Sequence, residues 1–116
     1  MDQFLKFREV IERYRSFDWQ LRKILVSPAS REAFSVQQEF GDVEVTESEV
    51  DALWFRRPAS GGREAWELRL IAESPYALFE TFEPDEPEDE REEVRIEMEA
   101  RLRSHLEHPD VPTDEH

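Results

Sequence analysis

The chain is 116 residues long, 38% hydrophobic and 38% charged, with thirteen aromatic residues, no cysteine and a formal net charge of −14. That length suits one domain with its own apolar core, and the lack of cysteine removes disulfides, thiolate nucleophiles and cysteine-held zinc or iron–sulfur centres. The negative excess repels nucleic-acid backbones and anionic membrane surfaces at long range, and no apolar run nears the roughly 20 residues that cross a bilayer, so the expected partner is a protein, with a basic one favoured.

Charge is unevenly spread. The first 31 residues hold seven Lys or Arg against four Asp or Glu, and the last 44 hold sixteen acids against four Arg. Asp2, Lys6, Arg8, Glu9, Glu12 and Arg13 interrupt the N-terminal apolar residues, so no signal-peptide core is present there and the cytoplasm is the expected location.

Phe4, Phe7, Ile11 and Tyr14, and then Val10, Tyr14, Phe17, Leu21 and Ile24, recur at three- and four-residue spacing, which predicts an amphipathic helix. A single helix reaching Val26 would be roughly 37 Å long, more than a domain of this size covers. A break near Ser16 to Asp18 is therefore predicted, with a second short helix over Trp19 to Val26 capped by Asp18 and stopped by Ser27-Pro28. Arg8, Arg15 and Arg22 fall seven residues apart and would form a basic stripe, facing solvent or the acidic C-terminal helix. Ser30 could cap a helix running through Glu39 and closed by Gly41, followed by a short strand at Val43 to Val45. Thr46 and Glu49 have capping-box spacing, but Val50, Leu53, Trp54 and Phe55 favour a strand.

Pro58-Ala59-Ser60-Gly61-Gly62 reads as a hairpin loop. Counting outward pairs Arg57 with Arg63, Arg56 with Glu64, Trp54 with Trp66, Ala52 with Leu68, Val50 with Leu70 and, on the other face, Asp51 with Arg69. Glu73-Ser74-Pro75 makes the next reversal. A third strand from Tyr76 to Glu83 would then set Leu78 beside Leu70 and Phe82 beside Trp66.

Glu83 to Glu93 holds eight carboxylates and one Arg, with Pro84 and Pro87 near its start. Val94, Met98, Leu102 and Leu106 follow at four-residue steps, and Asp85 and Glu88 have capping-box spacing, which together predict a helix from about Glu86 to Glu107. Acids at its start, Arg101, Arg103 and His105 near its end, and Glu97–Arg101 and Glu99–Arg103 pairs suit the helix dipole. Pro109 ends it.

The predicted fold class is α+β: an N-terminal helical segment, bent or in two helices, an antiparallel meander of three to four strands, and a long C-terminal helix packed on one sheet face. One domain over residues 1–108 is expected, with 109–116 as a flexible tail. All three His lie at 105, 108 and 116, beyond the predicted core, and Gly61-Gly62 lacks the rest of a phosphate loop, so no catalytic residue, cofactor or metal site is assigned. Glu80 stands on the Trp54/Trp66 face and is the residue an acid-catalysed reading would use.

Two surfaces are candidates for interaction. Leu53, Phe55, Ile71 and Phe79, with Arg57 beside them, lie on the sheet face away from the tryptophans, and unless the N-terminal helices cover them they invite a partner or a second copy of the chain. Asp85, Glu86, Glu88, Asp89 and Glu90 form an acidic surface for a basic target. These give two binding readings, a small adaptor- or chaperone-like module and a stoichiometric inhibitor or nucleic-acid mimic, with an enzyme acting through Glu80 as a third.

Overall fold

A strand sends alternate side chains to opposite faces, and in this chain both faces of the middle strand are apolar, so the sheet needs a cover on each side. The computed structural model describes residues 3–31, 43–72, 74 and 76–107. Their elements run α1 (Gln3–Arg15), β1 (Gln20–Val26), β2 (Glu44–Glu47), β3 (Ala52–Pro58), a 3-10 turn (Ser60–Gly62), β4 (Glu64–Leu70), β5 (Tyr76–Phe82) and α2 (Glu88–Glu107). The strands form one sheet in the order β2-β1-β3-β4-β5. The fold is α+β, with the expected N-terminal helix, antiparallel-rich sheet and long C-terminal helix. The sheet has five strands, and β2 is parallel to β1.

Each helix covers one face. Phe4, Phe7 and Ile11 of α1 bury with Leu21, Ile24, Leu53, Phe55 and Ile71. Met98 and Leu102 of α2 bury with Leu25, Ala52, Trp54, Leu68 and Leu70 on the other side. Full burial of a side chain such as Phe7 or Leu102 stabilises the fold by about 1.5 to 3 kcal/mol. Leu106, the last of the four-residue series in α2, is exposed.

The predicted second helix over Trp19 to Val26 is a strand instead. The break before it does occur, as a turn at 16–18 in which Asp18 takes a left-handed φ of 71°. Leu21 and Ile24 then reach the same face three residues apart because the β1–β3 ladder shifts between Leu21 and Lys23. A bulge turns a strand's two-residue period into three at one place, which imitates helical spacing. The basic stripe of Arg8, Arg15 and Arg22 is broken by the same change, since Arg22 stands on β1 and α1 lies on the face opposite α2. Residues 28–31 are helical. The rest of the helix expected through Glu39 to Gly41, the Glu73 and Pro75 positions of the second reversal, and the 109–116 tail lie outside the described residues.

The hairpin register differs from the predicted one by two residues. Ala52 pairs with Leu70, Trp54 with Leu68, Arg56 with Trp66 and Pro58 with Glu64. Pro58 ends the strand, so the loop becomes residues 59–63: Ala59 N–H donates to the Arg63 carbonyl at 2.9 Å, and Gly61 and Gly62 take φ of 73° and 79°. Such angles favour glycine. A slip of two preserves faces. Trp54 and Trp66 therefore still meet, ring centroids 5.9 Å apart, and Arg56 still reaches Glu64 at 3.0 Å, each on a diagonal. The β4–β5 ladder is displaced in the same way, with Leu68 opposite Leu78, Trp66 opposite Glu80 and Glu64 opposite Phe82.

α2 begins two residues later than predicted. The Pro87 carbonyl accepts the Arg91 N–H at 3.1 Å, which starts the helix, and Glu86 rather than Asp85 closes the preceding turn by accepting the Glu83 N–H at 3.0 Å. Glu99 turns to the Trp54 indole, accepting its Nε1–H at 2.7 Å. Arg91 is the sole cation of the acidic run and its side chain is only 13% exposed. It reaches Glu64 at 3.1 Å and donates to the Glu83 carbonyl at 2.7 Å, tying the helix start to β4 and to the end of β5.

Asp51 does not face Arg69, which pairs with Leu53. Its carboxylate instead accepts from Ser27 N–H at 2.7 Å, the Ser30 hydroxyl at 2.7 Å and the Gln3 amide at 2.9 Å. This one side chain joins α1, the end of β1 and the start of β3. Asp51→Ala is expected to cost about 3 kcal/mol, because three part-buried donors lose a charged acceptor. Urea unfolding measures it, and a loss below about 1 kcal/mol would show that those donors find other acceptors.

Candidate protein-binding surface

The ladder places three rows of side chains on the α1 face of β3, β4 and β5: Leu53–Arg69–Ala77, Phe55–Glu67–Phe79 and Arg57–Ala65–Thr81. The β3 ends of the first two rows are buried under α1. The β5 ends, Ala77, Phe79 and Thr81, are all exposed. Phe79 is 58% exposed, whereas Leu53 and Phe55 are 0% and Ile71 is 5%. Of the four apolar residues assigned to this face, three are therefore core beneath α1, and Phe79 alone is open.

Phe79 is held from one side. Trp19, displayed by the turn between α1 and β1, meets it edge to face at 6.4 Å, and the Arg57 guanidinium lies over the Trp19 ring at 4.6 Å. Arg57 also donates to the Phe17 carbonyl at 2.8 Å, so the cation fixes the turn that carries Phe17, itself 63% exposed. A shallow cavity of about 460 Å³ opens between Asp18, Arg57, Ala65, Phe79 and Thr81. Rigid aromatics beside an arginine are common anchors at protein interfaces.

Along the α1 side of this strip, Tyr14 stacks on Phe55 at 4.1 Å, donates its hydroxyl to Glu67 and lies under the Arg69 guanidinium. Burial, reinforced by the bond to Glu67, pushes the Tyr14 hydroxyl from 10.0 up to about 12, with Arg69 pulling the other way. These groups hold α1 against β3 and β4 and set where the covered part of the face stops.

The acidic residues have a different setting. Asp85, Glu88, Asp89 and Glu90 are exposed and Glu86 is half-buried, at the entrance to α2. Glu88 and Glu92 pair with Arg95 at 2.5 and 2.7 Å, and Arg95 lies over the Trp66 ring at 4.7 Å. Beside them, a groove of about 360 Å³ runs between α2 and β1, lined by Arg22, Lys23, Trp54, Trp66, Arg95 and Glu99 among others. Glu64 accepts from Arg56, Arg91 and the Trp66 indole at 3.0 to 3.1 Å, and its bond to Arg56 first of all holds its carboxyl below the usual range. Glu80 is half-buried across from Trp66 and is not among the residues lining that groove. His105 stacks on Tyr76 with ring centroids 3.7 Å apart. His108 and His116 lie outside the described residues.

Phe17 and Trp19 belong to this surface and are not among the residues the sequence assigns to it, because Phe17 reads as part of the helical stripe with Tyr14 and Leu21, and Trp19 as the first residue of the second helix. The usable signal was Asp18, which takes left-handed backbone more readily than most residues and here marks a tight turn. No family model, curated protein or solved structure matches the chain.

The raised Tyr14 value has a sign that can be tested. The folded state holds this proton above the unfolded value of about 10, so the stabilisation is complete below pH 10 and is lost as pH rises from there through about 12. Tyr14→Phe should remove that part of the alkaline loss. Unfolding free energies of both proteins across pH 9 to 12 check it, and parallel curves would refute it.

Proposed function

We propose that the chain is a cytoplasmic protein-binding module, adaptor- or chaperone-like, that docks its partner on the strip formed by Phe79, Phe17 and Arg57. One observation carries this reading: Phe79 stands 58% exposed on an edge strand, propped by Trp19, in a sheet where the apolar side chains of β1, β3 and β4 on that face are buried. An apolar ring fixed in water costs free energy in the isolated protein and returns it when covered. Arg57 supplies a polar neighbour that can bond to a partner's backbone or carboxylate at the rim. Self-association through Leu53, Phe55 and Ile71 has no support, since α1 already occupies that part of the face.

A second reading is favoured by the exposure of Asp85, Glu88, Asp89 and Glu90: a stoichiometric inhibitor that blocks a basic target through its acidic surface. Association of that kind slows steeply as salt rises, whereas docking on Phe79 weakens little. A reaction through Glu80 is supported less, because that side chain faces Trp66 in the ladder and stands outside the adjoining groove.

Phe79→Lys, at an exposed site, should leave the far-UV spectrum and unfolding midpoint unchanged and abolish capture of the partner from extracts of the native host. A substitution of Asp85, Glu88 and Asp89 to Asn, Gln and Asn should leave capture intact. The opposite pattern, capture kept by Phe79→Lys and lost on neutralising the acids, would replace the docking reading by the inhibitor one.

A further inference from the structure

We infer that the free edge of β5 takes an extended segment of a partner as a sixth strand, and that this segment alternates basic with apolar residues. The inference rests on the docking reading above and specifies the chemistry of the ligand. Strand addition supplies affinity through main-chain hydrogen bonds and specificity through the side chains that alternate on either side.

The two edges of the sheet are built differently. β2 is four residues long, with exposed Glu44 and Glu47 at its ends, and Glu47 pairs with Arg31 at 2.6 Å. Short length and charge are the ordinary means by which an edge is closed to further pairing. β5 is seven residues long, contains no proline or lysine, and has Glu80 as its one charged residue. Among the described residues it pairs with β4 on one side and with no strand on the other.

α2 lies along β5 and gives the edge a sign. Arg91 sits over the Phe82 ring at 5.9 Å and His105 stacks on Tyr76 at 3.7 Å, so the helix runs antiparallel to the strand over its whole length. The fourteen residues between these contacts span about 21 Å of helix, and β5 spans about 20 Å. Glu92, Arg95 and Glu99 line the groove toward β1. A turn of 100° per residue therefore puts Glu90 and Glu97, both exposed, on the other flank, above the outer side of β5, with Arg101 as the one cation beside them.

A sixth strand about 4.8 Å beyond β5 would thus present one set of side chains to Glu90 and Glu97, and the other to Ala77, Phe79 and Thr81. Lysine or arginine suits the first and an apolar residue the second. A second copy of this chain is the wrong occupant, because pairing two β5 edges about a two-fold axis brings two acidic α2 flanks together on molecules that each carry −14. The chain's own C-terminal residues are also the wrong chemistry, with Asp110, Asp114, Glu115, Pro109 and Pro112 among them.

The test uses the full chain and short, end-capped, fluorescent peptides: one alternating Lys and Val, an isomer with the same residues in two blocks, an alternating Glu and Val version, and the first peptide N-methylated on alternate backbone nitrogens in each of the two phases. Fluorescence anisotropy should show the alternating Lys–Val peptide binding at least about tenfold more tightly than the block isomer or the Glu–Val peptide, and N-methylation in one phase only should cost about tenfold. Phe79→Lys and, separately, Glu90→Lys with Glu97→Lys should each weaken it about tenfold, and amide hydrogens of β5 should gain exchange protection. Equal binding of the alternating and block peptides, or indifference to N-methylation in both phases, overturns strand addition. If Phe79→Lys still abolishes capture of the native partner in that case, only the strand mode is lost. Capture that survives Phe79→Lys overturns the docking reading whatever the peptides do.

Discussion

Everything in this structure follows from a middle strand that is apolar on both sides. Ala52, Leu53, Trp54 and Phe55 are consecutive and all buried, which a strand allows only between two covers. Leu53 and Phe55 take α1, Ala52 and Trp54 take α2, and the chain has to place a helix at each end of its sequence to supply them. Removing either cover would expose aromatic and aliphatic surface whose burial stabilises the fold by several kcal/mol (about 1.5 to 3 for each such side chain). The order of elements, helix then sheet then helix, is the simplest connection that puts one cover on each face.

Two helices cannot cover five strands completely. A helix with its side chains is about 10 Å wide, whereas five strands at about 4.8 Å spacing present roughly twice that width. α1 sits toward β1 and β3, and α2 toward β3, β4 and β5, so among the described residues each face keeps an uncovered strip beyond its helix. On the α1 side that strip is β5 with Phe79. On the α2 side it is the groove beside β1, floored by Trp54 and Trp66 and rimmed by Arg22, Lys23 and Glu44. Part of that groove's polar lining is engaged within the chain, Arg95 pairing with Glu88 and Glu92 and Glu99 accepting the Trp54 indole N–H. Phe79 instead offers an apolar ring that is 58% exposed.

Much of this was legible from residue spacing, and the failures have particular causes. The faces of the β3–β4–β5 meander were readable because apolar alternation has a period of two, and a register slip of two leaves it untouched. The register itself was not readable, because it depends on whether Pro58 belongs to the strand or to the loop, and both placements keep Arg56 near Glu64 and Trp54 near Trp66. β1 was hidden by its bulge, which set Leu21 and Ile24 at helical spacing; the break at 16–18 was readable, but not that it carries Phe17 and Trp19 to the candidate surface. The exposure of Phe79 follows from how far α1 reaches across the sheet, a tertiary property that no window of sequence reports. The same reach explains why Leu53, Phe55 and Ile71, which share its face, are core.

The acidic run shows how one cation can orient many carboxylates. Eight acids between Glu83 and Glu93 would repel one another in an extended chain, and the helix dipole relieves this only over the first turn. Arg91, the single cation of the run, is drawn inward by Glu64 of β4 and by the Glu83 carbonyl, and its guanidinium lies over the Phe82 ring. Glu64 in turn is held ionised by Arg56 of β3. This chain of charges, Arg56 to Glu64 to Arg91, fixes the rotation of α2 at its first turns, because turning the helix by even one residue would withdraw Arg91 from a mostly buried site and leave Glu64 with two of its three partners. With Arg91 inward, the 100° step dictates that Glu90 and Glu97 face the outer side of β5. The acidity above the open edge is thus a geometric consequence of the same tether that docks the helix, and a partner reading that edge reads both at once.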